Sequence, residues 1–164
     1  MTHKSSVNFE RFKKHLWDST PDVFLVGHHL HRQGFDISIP GLQIAPNISQ
    51  IKNYQDAGDI FINFNEKRLI VEVKANNKSD FTCDMPHIYS HFLVCAKHAF
   101  EKYKNEKPSY YFILNKSRTH VAIINVLNTF SSWSILNTYD ARYIDYPQDR
   151  YACPANLVKI EKLL

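Results

Sequence analysis

Asp59, Glu72 and Lys74 are the residues of this chain whose types and spacing can do chemistry. Glu72 and Lys74 stand two apart in "RLIVEVKANN", a run with the apolar content of a buried strand. Strands alternate their side chains, so both charges fall on one face. Charged groups are almost never fully buried unless they are paired or bound to something. Asp59 opens the preceding apolar run, "DIFINF", with twelve residues between it and Glu72. The intervening "NEK", 65–67, reads as the turn of a hairpin, and folding there brings the far ends of the two strands together. Two carboxylates and an ammonium then converge at one end of a sheet. Close carboxylates repel unless a cation sits between them. Mg²⁺ suits that place, since it takes one or two carboxylates plus waters and substrate phosphate oxygens. A protonated lysine is no metal ligand. Beside a metal it can orient an attacking water or stabilise developing negative charge. The set therefore points to metal-assisted hydrolysis of a phosphodiester. The competing reading is a charge pair that protects an edge strand from aggregation.

The elements that must position these residues follow from periodicity and punctuation. "VNFERFKKHLW" spaces Phe9, Phe12, Leu16 and Trp17 as a first helix. "STPDVFLVGHHLHRQG" reads as a second, with Ser19 or Thr20 as cap, Pro21 in the first turn and Gly34 as stop. "FDISIPG" alternates as a strand, and a polar connection leads to the hairpin. "CDMPHIYSHFLVCAKHAFEKYKN" reads as one long amphipathic helix, with Asp84 as cap and Pro86 in its first turn. "SYYFILN" and "THVAIINV" are strands joined by the "KSR" turn. The tail from Leu127 reads as irregular and tyrosine-rich, closing in a short helix, "NLVKIEKLL". The expected fold class is α/β, a mixed sheet with a central antiparallel hairpin and helices on both faces. The long helix leaves room for a parallel, right-handed crossover into "YYFILN".

Asp59 followed by Glu72-Val73-Lys74 resembles the D…(D/E)xK signature of the PD-(D/E)xK nuclease superfamily, which holds restriction enzymes, Holliday-junction resolvases and phage recombination nucleases. The resemblance implies a restriction-endonuclease-like fold over about 10–126, within a single domain spanning 1–164 and extended by 127–164. It implies Asp59, Glu72 and the backbone carbonyl of Val73 as ligands of Mg²⁺, with Mn²⁺ able to substitute. It implies Lys74 beside the attacking water, and an endonuclease acting on DNA rather than RNA. The family's proline before the aspartate is Gly58 here. Many members add an acid from the first helix, for which Glu10 and Asp22 are candidates, and a Gln or Lys from the helix after the lysine strand, for which Lys97 or Lys102 stands. A compact nuclease without an accessory domain suits a phage or mobile element, and restriction-type cutting calls for a homodimer or a partner. The alternative is a nuclease fold that binds nucleic acid without cutting it.

Other constellations carry weaker signals. "GHHLHRQG" sets His28 and His31 on one helical face without a third ligand for zinc; His28 can instead face the cleft and touch phosphate. Cys83, His87, His91 and Cys95 recur every four residues, but one helix offers only an i, i+4 pair to a tetrahedral ion, and His87 is kept as a residue near the metal site. Arg142 and Arg150 lie among the tail's aromatics, a composition that binds nucleic acid or simply packs. Walker and GxSxG signatures are missing from the sequence, so no nucleotide cofactor is expected. A net charge of +4 permits a polyanionic partner without requiring one. Three cysteines without CxxC spacing, and no apolar run of membrane-spanning length, lead to the expectation of a cytoplasmic protein.

Overall fold

Alternation along "LIVEVKA" divides the molecule. Val71 and Val73 face one apolar cluster, with Ile60, Ile62, Phe112, Leu114 and Val121. Tyr111 and Ile113, the neighbours of Glu72 and Lys74, face the other. The computed structural model describes residues 3–41, 44–47, 49–50, 58–84, 89–102, 106–139 and 147–163. The chain runs α1 (His3–Arg32), β1 (Asp36–Ser38), β2 (Ile60–Phe64), β3 (Lys67–Ala75), β4 (His91–Ala96), α2 (Lys97–Lys102), β5 (Tyr110–Leu114), β6 (His120–Asn125), α3 (Val126–Thr129), β7 (Ser134–Thr138), β8 (Gln148–Pro154) and β9 (Lys159–Lys162). Among the described residues, six strands form one sheet in the order β1-β2-β3-β5-β6-β9, and three form another, β4-β8-β7. The larger sheet is mostly antiparallel. β3 and β5 are parallel, so the chain crosses over between them.

The hairpin forms where its sequence predicts. Asn65 and Glu66 both take positive φ, 47° and 61°, the pair of left-handed residues whose twist matches a two-residue turn. Ile60, Ile62 and Val71 are buried beneath α1, which lays Val26, Gly27 and Leu30 on that face of the sheet. A Cβ on Gly27 would lie 2.8 Å from Ile39 Cδ1, so the missing side chain lets helix and sheet approach.

Four expectations are corrected. The two N-terminal helices are one helix that carries Pro21 inside it. Ser19 and Thr20 do not cap; their hydroxyls both donate back to the Leu16 carbonyl, at 3.0 Å each. The long helix expected over 83–105 is instead strand β4 followed by the single-turn α2, with 85–88 and 103–105 outside the described residues. Phe92 and Val94 are buried while Leu93 is exposed, a period of two that pairing with β8 enforces. The tail is not irregular: it supplies β7, β8 and β9, and "NLVKIEKLL" becomes a 3-10 turn at Ala155–Leu157 and then β9, paired with β6. Among the described residues, short helices and the small sheet together cover the face opposite α1. There Phe92, Val94 and Cys153 of the small sheet pack with Phe100 of α2. Trp133 and Tyr151 of the tail join that core, set edge-on or tilted around the stacked Phe100 and Phe130 rings at separations of 5.1–6.0 Å.

The beginning and end of the chain are tied by a polar contact. His29, buried on α1, lies 3.2 Å from Glu161 Oε2 on β9. Gln33 Nε2 donates to the same oxygen at 2.9 Å, and Lys159 Nζ pairs with Oε1 at 2.6 Å. Burial alone would raise the Glu161 carboxyl, but the hydrogen bonds from Lys159, Gln33 and His29 outweigh it and hold the group below its usual range. A carboxylate lowered on folding stabilises the fold at neutral pH, and that contribution is lost as pH falls through the lowered value. Denaturant unfolding from pH 7 downward should therefore show a loss of stability on acidification that is smaller in Glu161→Gln. An unchanged slope in the variant would mean the clamp contributes nothing.

Candidate active site

The site is built where β2 ends. Asp59 precedes β2, whose ladder with β3 ends at the pair Ile60–Val71. The Asp59 amide donates to the Val71 carbonyl at 3.1 Å. Its carboxylate oxygen Oδ2 then accepts the next available amide of β3, that of Val73, at 2.7 Å. The side chain thus does the work of a backbone carbonyl one step past the ladder. A residue's own N–H and C=O lie on the same edge of a strand. The Val73 carbonyl therefore faces the edge on which Asp59 sits. Gly58 makes the approach possible: its φ is +131°, and a Cβ there would lie 2.5 Å from Ile70 Cγ2. A proline, whose φ is locked near −65°, cannot stand there.

Glu72 and Lys74 are half-buried and register with Tyr111 and Ile113 of β5. Lys74 Nζ lies 5.8 Å from the centre of the Tyr111 ring, at the outer reach of a cation–π contact. β5 pairs with β3 throughout this stretch, while the ladder with β2 stops at Val71, so the charged pair lies where one edge of β3 is no longer covered by β2. Cys95 of β4 flanks the site. Burial pushes its thiol up, against a hydrogen bond with Tyr111 and the charge of Lys74, while the charge of Glu72 adds to the rise. This keeps it a thiol rather than a nucleophilic thiolate.

Asp59, Glu72 and Lys74 are thus brought to one region by the hairpin. The additional candidates are not. Asp22 sits on α1, across the sheet from Glu72, and Arg118 holds its carboxylate through Nε at 3.0 Å and a second nitrogen at 3.2 Å. Glu10 is exposed and paired with Lys13 at 2.7 Å. His28 is exposed on α1. Lys97 opens α2 and reaches Glu101 at 3.9 Å. Arg150 lies on β8 opposite Ala96 and Leu136, and its charge, like those of Lys74 and Glu72, acts on Cys95. His87 and Arg142 lie outside the described residues.

Among the described residues no three His, Cys, Asp or Glu side chains gather as a metal site. The donors at the hairpin are two carboxylates and the Val73 carbonyl, all hard oxygens, a set that fits Mg²⁺ rather than zinc. A shallow groove lined by Asp36, Asn63, Lys67 and Arg68 lies at the hairpin tip, the opposite end of these strands, roughly 15–20 Å away at strand rise.

Two structural residues escaped sequence reasoning. Asn115 is fully buried; its amide donates to the Phe81 carbonyl at 2.9 Å and its oxygen accepts the amides of Thr119 and His120. Arg118, at a φ of +59°, reaches both Asp22 and, at 2.8 Å, Asn77 just beyond β3. It joins α1 to the end of the strand that carries Lys74. The only local signal for either is the polar turn "NKSRTH" between two apolar strands.

No protein-family model, curated protein or solved structure matches this chain. No described helix is long and apolar enough to cross a membrane.

Two stability measurements test this geometry. Gly58→Ala should lower unfolding free energy by about 3 kcal/mol, from backbone strain and overpacking together. A loss under half of that would mean residue 58 is not held as described. Asp59→Ala should cost about 1–3 kcal/mol by orphaning the Val73 amide, whereas Asp59→Asn keeps an acceptor and should cost less. Equal losses in the two variants would contradict the ladder role of the carboxylate.

Proposed function

We propose that the chain is a Mg²⁺-dependent nuclease of PD-(D/E)xK type that hydrolyses phosphodiester bonds in DNA. The observation that supports this reading is the Asp59–Val73 hydrogen bond, which holds a carboxylate against β3 at the residue between Glu72 and Lys74, on the strand edge that the Val73 carbonyl also faces. Asp59, Glu72 and the Val73 carbonyl would hold the ion. When bound, Mg²⁺ or Mn²⁺ neutralises the scissile phosphate and acidifies a water. The Lys74 side chain would donate hydrogen bonds to the attacking water or to a non-bridging phosphate oxygen. The attacking water would form a P–O bond as the opposite P–O bond to the leaving sugar oxygen breaks, its proton passing to solvent and the departing oxygen taking one from solvent. The Tyr111 ring beside it and the pairing of its backbone with Ile113 of β5 limit the freedom of Lys74.

A second reading is a binding module of the same fold without catalysis. It draws on the same hydrogen bond, because the Asp59 carboxylate has a structural role whether or not the chain cuts.

Nicking of supercoiled plasmid in Mg²⁺ or Mn²⁺ decides between them. Wild type should nick, and Glu72→Ala and Lys74→Ala should each lose about a hundredfold or more of the rate. Asp59→Asn should lose cleavage while keeping most of its thermal stability. An inert wild type, or variants that cut equally well, would sink the plasmid-nuclease reading and leave the binding module.

A further inference from the structure

The edge of a sheet is a row of unpaired amides and carbonyls that another strand can extend. The two sheets of this chain have four edge strands, β1 and β9 on the larger and β4 and β7 on the smaller. Three are blunted. β1 is only three residues long and carries Asp36, β9 carries Lys159, Glu161 and Lys162, and β4 is broken by a bulge between Leu93 and Cys95. β7, "SILNT", has no charge, no proline and no bulge. Its Ile135 is 49% exposed and its Leu136 37%. Among the described residues it pairs with β8 alone. An open, uncharged, apolar edge of this kind favours pairing with a strand from another molecule.

Two side chains of β7 select the occupant. Ser134 Oγ and Thr138 Oγ1 are shielded from water and have no hydrogen-bond partner among the described residues. Native structures rarely leave such groups unpaired. The two lie on either side of Leu136, each two residues away, and share its face of the sheet. Antiparallel pairing of β7 with a second β7 about an axis at Leu136 sets the Ser134 of each copy opposite the Thr138 of the other. Directly opposed side chains have Cβ atoms about 4.5–5.5 Å apart, a spacing at which serine and threonine hydrogen-bond across strands. Both residues are only half-buried, so rotation about χ1 can turn each hydroxyl toward the other. The same register sets Leu136 against its own copy and Ile135 against Asn137, so no like charges meet. An apolar peptide would leave both hydroxyls unpaired, and a register shifted by two residues would set one of them against Leu136.

We infer that β7 is a dimer interface: two copies of the chain pair antiparallel about Leu136 and join their three-stranded sheets into one of six strands. The contact uses the same strand on both copies, so it closes on itself and assembly stops at two. A homodimer is what restriction-type cutting calls for, but the inference rests on the edge of β7 and its two hydroxyls, not on the proposed chemistry.

Sedimentation velocity of the full chain, over a concentration series in the micromolar range, tests the pairing. Wild type should sediment as a dimer. Leu136→Lys and Leu136→Glu each place like charges against one another at the axis and should sediment as monomers, whereas an equimolar mixture of the two should restore the dimer. Ser134→Ala, too small a change to unfold the chain, should weaken self-association about tenfold, because each dimer loses two hydrogen bonds. Leu127→Lys, at a 91% exposed position on α3, should leave self-association unchanged. A monomeric wild type overturns the inference. So does a dimer that survives both Leu136 substitutions and Ser134→Ala, or one whose loss in folded Leu136 variants the mixture does not reverse. None of these outcomes depends on plasmid nicking, so the two proposals fail separately.

Discussion

Where β2 runs out, a side chain takes over its ladder. The Asp59 carboxylate accepts the Val73 amide at 2.7 Å, and much of the proposed site depends on that exchange. A backbone carbonyl in its place would have extended the sheet and covered the edge of β3. A carboxylate ends the pairing while keeping the amide satisfied, and it leaves negative charge at the strand edge. Gly58 is the conformational condition, because a side chain there would meet Ile70.

β3 itself is a partition. Its odd-numbered residues, Val71 and Val73, join the cluster beneath α1, while its even-numbered neighbours Glu72 and Lys74 stand on the side of the aromatic core. A strand buried on both faces would ordinarily be apolar on both. β3 departs from this over two residues, at the end where β2 no longer pairs with it. Local violations of binary pattern inside an otherwise consistent fold are expected where function or strain resides.

Polar clamps fix the layers around that partition. Arg118 links α1 through Asp22 to Asn77, just past Lys74, and the His29–Glu161 contact links α1 to the last strand. Asn115 ties the β5–β6 turn to the Phe81 loop. These groups hold α1 and the strand ends in place without lining the site.

The hairpin and its turn were legible in the sequence. Each depends on local physics: alternation, turn chemistry and a register counted from the turn. The parallel pairing of β3 and β5 also followed from the length of the connection between them. The rest depended on distant partners. "HFLVC" suits a helix or a strand by composition, and only pairing with β8, some sixty residues later, made it a strand. "VKIEK" became β9 because β6 offered an unpaired edge. Pro21 reads as a helix start, yet packing along α1 carries the helix through it. Asp22 looked like a further ligand until Arg118, ninety-six residues away, claimed it. Sequence alone determined the chemistry-bearing hairpin, because its contacts are close in the chain. Tertiary structure decided which surfaces surround it, because those contacts pair segments that no local period connects.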